Sequence, residues 1–264
     1  MDQGANVRLM FVVVLVLAVT VTVFITREFL GNNATAQSGV VSSGSVNADE
    51  VRAIVLDMFR NNPKEIMQAM SEGQQAMMQE EQKQAAERMK ERREELENNA
   101  SDPVVGNAKG DVTIVEFFDY KCGYCKRVAP TISEILASDK NVRFVFKDFP
   151  ILGPASELLA KASLAVHRVS PEKYFDVHMD LLKRSPGTEA QLKELLQSHG
   201  LDADKVVGEM EKPEIMAQID EHRQLAASIG IRGTPAFIIN GEFVPGAIDL
   251  DSFRQKIEAA RKGN

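Results

Sequence analysis

The chain has no tryptophan, only three tyrosines and four histidines, and two cysteines in 264 residues. Two cysteines cannot build a multi-disulfide scaffold. They also leave a zinc site half-built, because His167, His178, His199 and His222 show no paired ligand spacing. Positive charge is in deficit, 31 Lys and Arg against 38 Asp and Glu, and a net charge of −7 excludes general nucleic-acid binding. Long hydrophobic runs are confined to Leu9–Ile25. With 26% charged residues the remainder has an ordinary soluble composition, long enough for one sizeable domain plus extensions.

The 17 residues Leu9–Ile25, apolar but for Thr20 and Thr22, sit between Arg8 and Arg27-Glu28. They are long for the core of a signal peptide and at the short end for a membrane span. Residues 1–30 are therefore expected to be an uncleaved anchor or a cleaved signal, with Ala34-Thr35-Ala36 as a cleavage signature. Both readings export the rest of the chain to a compartment that permits disulfides. Residues 31–47, rich in Gly, Ser, Asn and Thr, read as a flexible tether.

Residues 48–98 read as a helical arm. Val51, Ile54, Val55, Met58 and Phe59 recur at i, i+3, i+4, i+7 and i+8, one apolar helix face. Asn61-Asn62-Pro63 breaks the pattern, and a second helix is expected to run to about Asn98 with Ile66, Met67, Met70, Met77, Met78, Met89 and Leu96 as its apolar positions. The arm is either an oligomerisation element or a solvated spacer packed on its own domain at one end. Gly73, Glu80 and Gln84 interrupt a strict heptad.

A boundary loop is expected over Asn99–Asn107, then a buried strand over Val112–Phe118 and a helix beginning at the cysteines. The two cysteines, Cys122 and Cys125, flank Gly123-Tyr124 at the start of that helix. A helix N-terminus lowers the pKa of a thiol there, and the thiolate is the attacking species in disulfide exchange. Strand alternation puts Glu116 on the face of Ile114 and Phe118, where a carboxylate is costly unless protonated, hydrated or paired. A buried acid beneath the cysteines could carry protons for Cys125.

The run Val115-Glu116-Phe117-Phe118-Asp119-Tyr120-Lys121-Cys122-Gly123-Tyr124-Cys125-Lys126, with Gly233-Thr234-Pro235-Ala236-Phe237 far downstream, resembles the thioredoxin superfamily. More narrowly it is similar to the DsbA-like thiol–disulfide oxidoreductases of the bacterial periplasm. The resemblance covers about residues 104–262. It implies an α/β thioredoxin fold, Cys122 as nucleophile, Cys125 as resolving thiol, Glu116 as the buried acid and Pro235 as a cis-proline facing the cysteines. Thr234 would offer its N–H and C=O to an extended substrate strand, beside Gly123 and Tyr124. Residues 153–229, helical in pattern between two strands, match a DsbA-like insertion. A closing hairpin is expected from Ala236 to Gly246, then a helix over Leu250–Ala260 with Asp249 as its N-cap.

Gly123-Tyr124 and the threonine before Pro235 instead resemble isomerases of the DsbC type, whereas oxidising DsbA proteins usually carry Pro-His between the cysteines. The expectation is a thiol–disulfide oxidoreductase with an isomerase- or reductase-like site; the alternative is a DsbA-type oxidase. A tethered chaperone or copper-binding module is the reading from a different class. No cofactor and no metal are implied. The partners implied are exported client proteins with cysteines, a membrane redox partner and a second copy of the chain through the arm. The expected location is the periplasm, tethered by residues 9–25, or soluble there after cleavage.

Overall fold

The computed structural model describes residues 47–263. The expected anchor within 1–30, and all but Asn47 of the tether, lie outside the described residues. Among the described residues no helix is long and apolar enough to cross a membrane. Two compact units meet between Ile66 and Met67.

The first unit holds helix α1, Ala48–Asn61, whose N-cap Asn47 side chain accepts a hydrogen bond from the Asp49 N–H at 3.2 Å. Its apolar face, Val51, Ile54, Val55, Met58 and Phe59, is exposed. Pro63 opens the next helix, α2, Pro63–Glu91, as a residue without an N–H does at a first helical turn.

The second unit begins within α2. The expected single helix to Asn98 is broken at Arg92, whose backbone leaves the helical region (φ −99°, ψ 18°), and a short helix, α3, Arg93–Glu97, restarts after it. Met89 before the break and Leu96 after it are both buried in the cluster on one side of the sheet. The boundary loop expected over 99–107 contains a strand, β1, Val104–Gly106. It pairs antiparallel with the edge of β3, so tertiary pairing overrides its turn-rich surroundings.

The sheet has five strands in the order β1-β3-β2-β4-β5. Strand β2, Val112–Phe118, crosses over through helix α4, Gly123–Ser138, to its parallel neighbour β3, Val142–Asp148. Helices α5, Pro154–Val169, α6, Tyr174–Arg184, α7, Glu189–Ser198, α8, Ala203–Met210, and α9, Pro213–Ser228, fill the interval before the next strand. Strands β4, Ala236–Ile239, and β5, Glu242–Pro245, form the hairpin, with β4 antiparallel to β2. Helix α10, Leu250–Lys262, closes the chain, and its N-cap Asp249 accepts from the Ser252 N–H at 2.8 Å.

Alternation in β2 divides the core. Ile114 and Phe118 face a large cluster with both cysteines, α4 and the inserted helices, whereas Val115 and Phe117 face Met89, Leu96, Leu225 and Ile238. A buried polar cluster crosses this second side. The Lys147 ammonium pairs with Asp102 and donates to the Glu95 carbonyl at 2.9 Å. The other Asp102 oxygen lies 2.8 Å from His222 Nε2, and the His222 Nδ1 lies 3.1 Å from the Asp148 carbonyl. Burial opposes ionisation of Asp102, but His222 and Lys147 outweigh it and hold its carboxyl below the ordinary range.

Candidate active site

Strand β2 ends at Phe118, and four residues later the chain enters α4 with Cys122 as the N-cap. Asp119 sets that turn. Its carboxylate accepts from the Lys121 N–H at 2.8 Å and from the N–H groups of Ile151 and Leu152 at 2.8 and 3.0 Å, tying the cysteine loop to the loop after β3. Its carbonyl accepts from the Cys122 N–H at 3.0 Å. Beside it, the Tyr120 hydroxyl is 2.8 Å from both Ser163 Oγ and His178 Nδ1 in the inserted helices. Burial drives the His178 pKa down to about 3, so its ring is a neutral partner.

Both cysteines are free thiols, but their surroundings differ. Cys122 is 7% exposed and Cys125 fully buried. For Cys122, burial acts to raise the thiol pKa, yet hydrogen bonding at Thr234 and from the Cys125 and Tyr124 backbone prevails, and the net direction is down. For Cys125, burial raises the pKa and the negative charge of Glu116 raises it further. At one site, therefore, one thiol is easy to ionise and its neighbour is hard.

Glu116 is buried on the cysteine-facing side of β2, paired in register with Phe146 and Phe237. Its Oε2 has no hydrogen-bond partner among the described residues. Burial first, and the charge of Cys122 second, push its pKa up to about 8. A carboxyl in that state holds a proton at neutral pH and can exchange it near neutrality.

The Thr234–Pro235 peptide is cis. The Cys122 thiol lies 3.2 Å from the Thr234 carbonyl, so this loop stands directly over the nucleophile. Pro235 itself and Thr234 line a cavity of about 240 Å³ with Arg232, Phe243 and Pro245. Gly123 and Tyr124 are exposed at the start of α4. A Cβ on Gly123 would meet open space, and the Tyr124 ring carries the Arg127 guanidinium at 4.1 Å. All seven residues singled out in the sequence, from Glu116 to Pro235, are thus gathered around the ends of β2, α4 and β4.

Lys121, next to the nucleophile, directs its ammonium to the carbonyls of Ser185 and Pro186 at 3.0 and 3.3 Å. His167 and His178 both pack on the Tyr174 ring, His178 also meeting the Tyr120 hydroxyl, while His199 meets Asp180 and His222 meets Asp102. Asp119 and the Tyr120–Ser163–His178 triad are functional neighbours that residue spacing alone does not single out. An aspartate just past a buried strand is a local signal for a turn acceptor. No local signal joins Tyr120 to partners more than 40 residues away.

The sequence profile of the DSBA-like thioredoxin domain family matches residues 113–258. Disulfide bond formation protein D of Bacillus subtilis (strain 168) is 29% identical over 172 residues, 61% of this chain and 78% of its own length. A thioredoxin-like oxidoreductase from Silicibacter pomeroyi DSS-3 is 37% identical, covering 64% of this chain and 98% of its own with a TM-score of 0.61. Proteus mirabilis ScsC in a transitional conformation is 25% identical and covers 82% of this chain and 97% of its own, TM-score 0.63. That last likeness reaches beyond the family span into the residues N-terminal to it.

Proposed function

The chain belongs to the DSBA-like thioredoxin domain family and is a thiol–disulfide oxidoreductase; from that premise we propose that Cys122 and Cys125 rearrange or reduce disulfides of exported proteins. The observation that carries this reading is the contrast between the two thiols, Cys122 lowered at a helix N-terminus and Cys125 raised by burial. The Cys122 thiolate attacks one sulfur of a client disulfide, forming a mixed disulfide and releasing the other client sulfur as a thiolate. In isomerisation that client thiolate attacks another client disulfide, and a later client thiolate regenerates Cys122. In reduction Cys125 gives its proton to a base, attacks the Cys122 sulfur and frees the second client thiol. The enzyme then holds a Cys122–Cys125 disulfide and the client has gained two electrons.

In its ionised fraction, which grows when the mixed disulfide removes the Cys122 charge, Glu116 takes the Cys125 proton and later returns it in this scheme. Its pKa of about 8 lies near working pH, as general acid–base work requires. Gly123, Tyr124, Thr234 and Pro235 bound the place where the client strand lies. The Gly-Tyr dipeptide and Thr234 support isomerase or reductase action. The inserted helices and the likeness to a disulfide bond formation protein support the second reading, an oxidase that starts from the Cys122–Cys125 disulfide. Supporting an oligomer is the exposed apolar face of α1, which a second copy would cover. An apolar segment over residues 9–25 supports export with a membrane tether, and a membrane redox partner would reset the dithiol.

The test is refolding of a client carrying scrambled disulfides, run with the reduced enzyme. Recovery of native client without added oxidant supports isomerisation. Failure to isomerise, together with rapid oxidation of a reduced client by the disulfide form, reverses the direction. Removal of residues 1–66 tests the arm while keeping Met89 and Leu96 in the core.

A further inference from the structure

The cavity beside Pro235 does not end at the hairpin. Arg232 and Phe243, which line it, also line a second cavity of about 400 Å³ whose opposite wall is helix α2, with Met78, Glu81 and Ala85. The floor is Ala227 and Ile229 at the end of α9. The two cavities adjoin at Arg232 and Phe243, so that together they reach from the Cys122-facing loop to a helix N-terminal to the family span.

The furrow is apolar with positive charge at its edge. Met78 and Phe243 are exposed, in a protein whose exposed large hydrophobics are otherwise mostly on the arm. Arg88 also lines it, and its Nε is buried with no hydrogen-bond partner among the described residues. Arg232 is 86% exposed and, among the described residues, reaches only Glu81, at 3.5 Å. A buried guanidinium N–H left without an acceptor is costly, and a carboxylate is the acceptor that suits a guanidinium.

Resting on the exchange reading, we propose that α2 and the Pro235 loop form a client-docking furrow for an extended polypeptide segment. The segment is the stretch C-terminal to the client's reacting cysteine, with a bulky apolar side chain seated on Met78, Ala85, Ile229 and Phe243. A carboxylate follows it at Arg88 and Arg232. Direction comes from strand geometry: a client strand bonded antiparallel at Thr234 runs back along Gly233, Arg232 and Gly230 as it proceeds toward its own C-terminus. Gly230 is four residues before Thr234, so at about 3.3 Å per residue roughly four client residues past the cysteine reach the furrow. Helix α2 therefore reads client sequence in addition to any part the arm plays in assembly.

The probes are single-cysteine peptides activated as mixed disulfides with thionitrobenzoate, whose release reports attack by Cys122 of the full-length protein. One series extends two or six residues beyond the cysteine, the longer carrying Phe and Glu; a mirror series extends N-terminally. The six-residue C-terminal peptide should react with a second-order rate constant about tenfold above its two-residue partner, and changing its Phe to Ser or its Glu to Gln should remove most of that gain. In Ala85→Glu the ratio of long to short should fall to about one, with urea unfolding run alongside to show an intact fold. Equal rates for short and long peptides, or a preference for the N-terminal series, overturn the furrow alone. A lowered oligomer mass in Ala85→Glu with the length preference intact means a second copy fills the furrow, and overturns it too. If no peptide of either length forms a mixed disulfide, the exchange reading itself falls, and the furrow with it.

Discussion

Glu116 holds a proton at neutral pH because β2 buries it among apolar side chains, and that fixes the sign of a measurable pH dependence. Its folded pKa of about 8 lies above the ordinary 4.5. The folded state therefore binds the proton more tightly than the unfolded chain, and stability falls as pH rises from about 4.5 to about 8, by at most ~1.4 kcal/mol per pH unit. Glu116→Gln removes the ionisable group, so it should match wild type near pH 4.5 and exceed it above pH 8 in urea unfolding. Parallel curves across that range contradict the burial account. The same variant should slow resolution of the mixed disulfide at pH 7 by about 100-fold, the lower end of what general acid–base groups contribute. At the neighbouring position, Cys122 should react with iodoacetamide below the pH expected of a free thiol while Cys125 stays protected. Peptide mapping of the alkylated, folded protein checks this.

At the scale of elements, the buried cluster below the sheet anchors the segment that joins the arm to β1. Lys147→Met leaves Asp102 with one fewer positive partner in a dry site, and breaking a buried pair in this way costs about 3–5 kcal/mol. A shift in the urea midpoint of that order is expected, whereas Asp249→Ala at the α10 N-cap should cost about 1 kcal/mol. The elements differ in how readable they were. Val112–Phe118 announces itself because both faces of a central strand are buried, which leaves a nearly unbroken apolar run. The hairpin, α10 and its cap follow from turn and capping chemistry that is local. Strand β1 is three residues between Pro103 and Asn107, and only the open edge of β3 makes it a strand. Lys147 looks like the polar position of an alternating strand; its burial depends on Asp102 and His222, 45 and 75 positions away. The dithiol, its acid and its proline were legible as spaced residue types, but the Asp119 clamp and the Tyr120–His178 contact were not, since partners on separate helices leave no local pattern.

At the scale of the whole molecule, two compact units share one long helix, α2, and the exposed apolar side chains of α1 lie in the unit without the dithiol. A protein lacking residues 1–46 should sediment as an oligomer, and one lacking residues 1–66 as a monomer. If assembly shields client disulfides from reoxidation, the shorter protein should keep thiol exchange with small disulfides and lose most of its isomerisation of scrambled client. A monomer in both cases contradicts a role for α1 in assembly.

The central claim, that Cys122 attacks and Cys125 resolves, is tested most directly by Cys125→Ala in the full-length protein mixed with a disulfide-bonded client. A covalent adduct on Cys122 should accumulate, map by mass spectrometry to that residue and dissolve on adding dithiothreitol. In Cys122→Ala no such adduct should form. An adduct in Cys122→Ala, or none in Cys125→Ala, contradicts it.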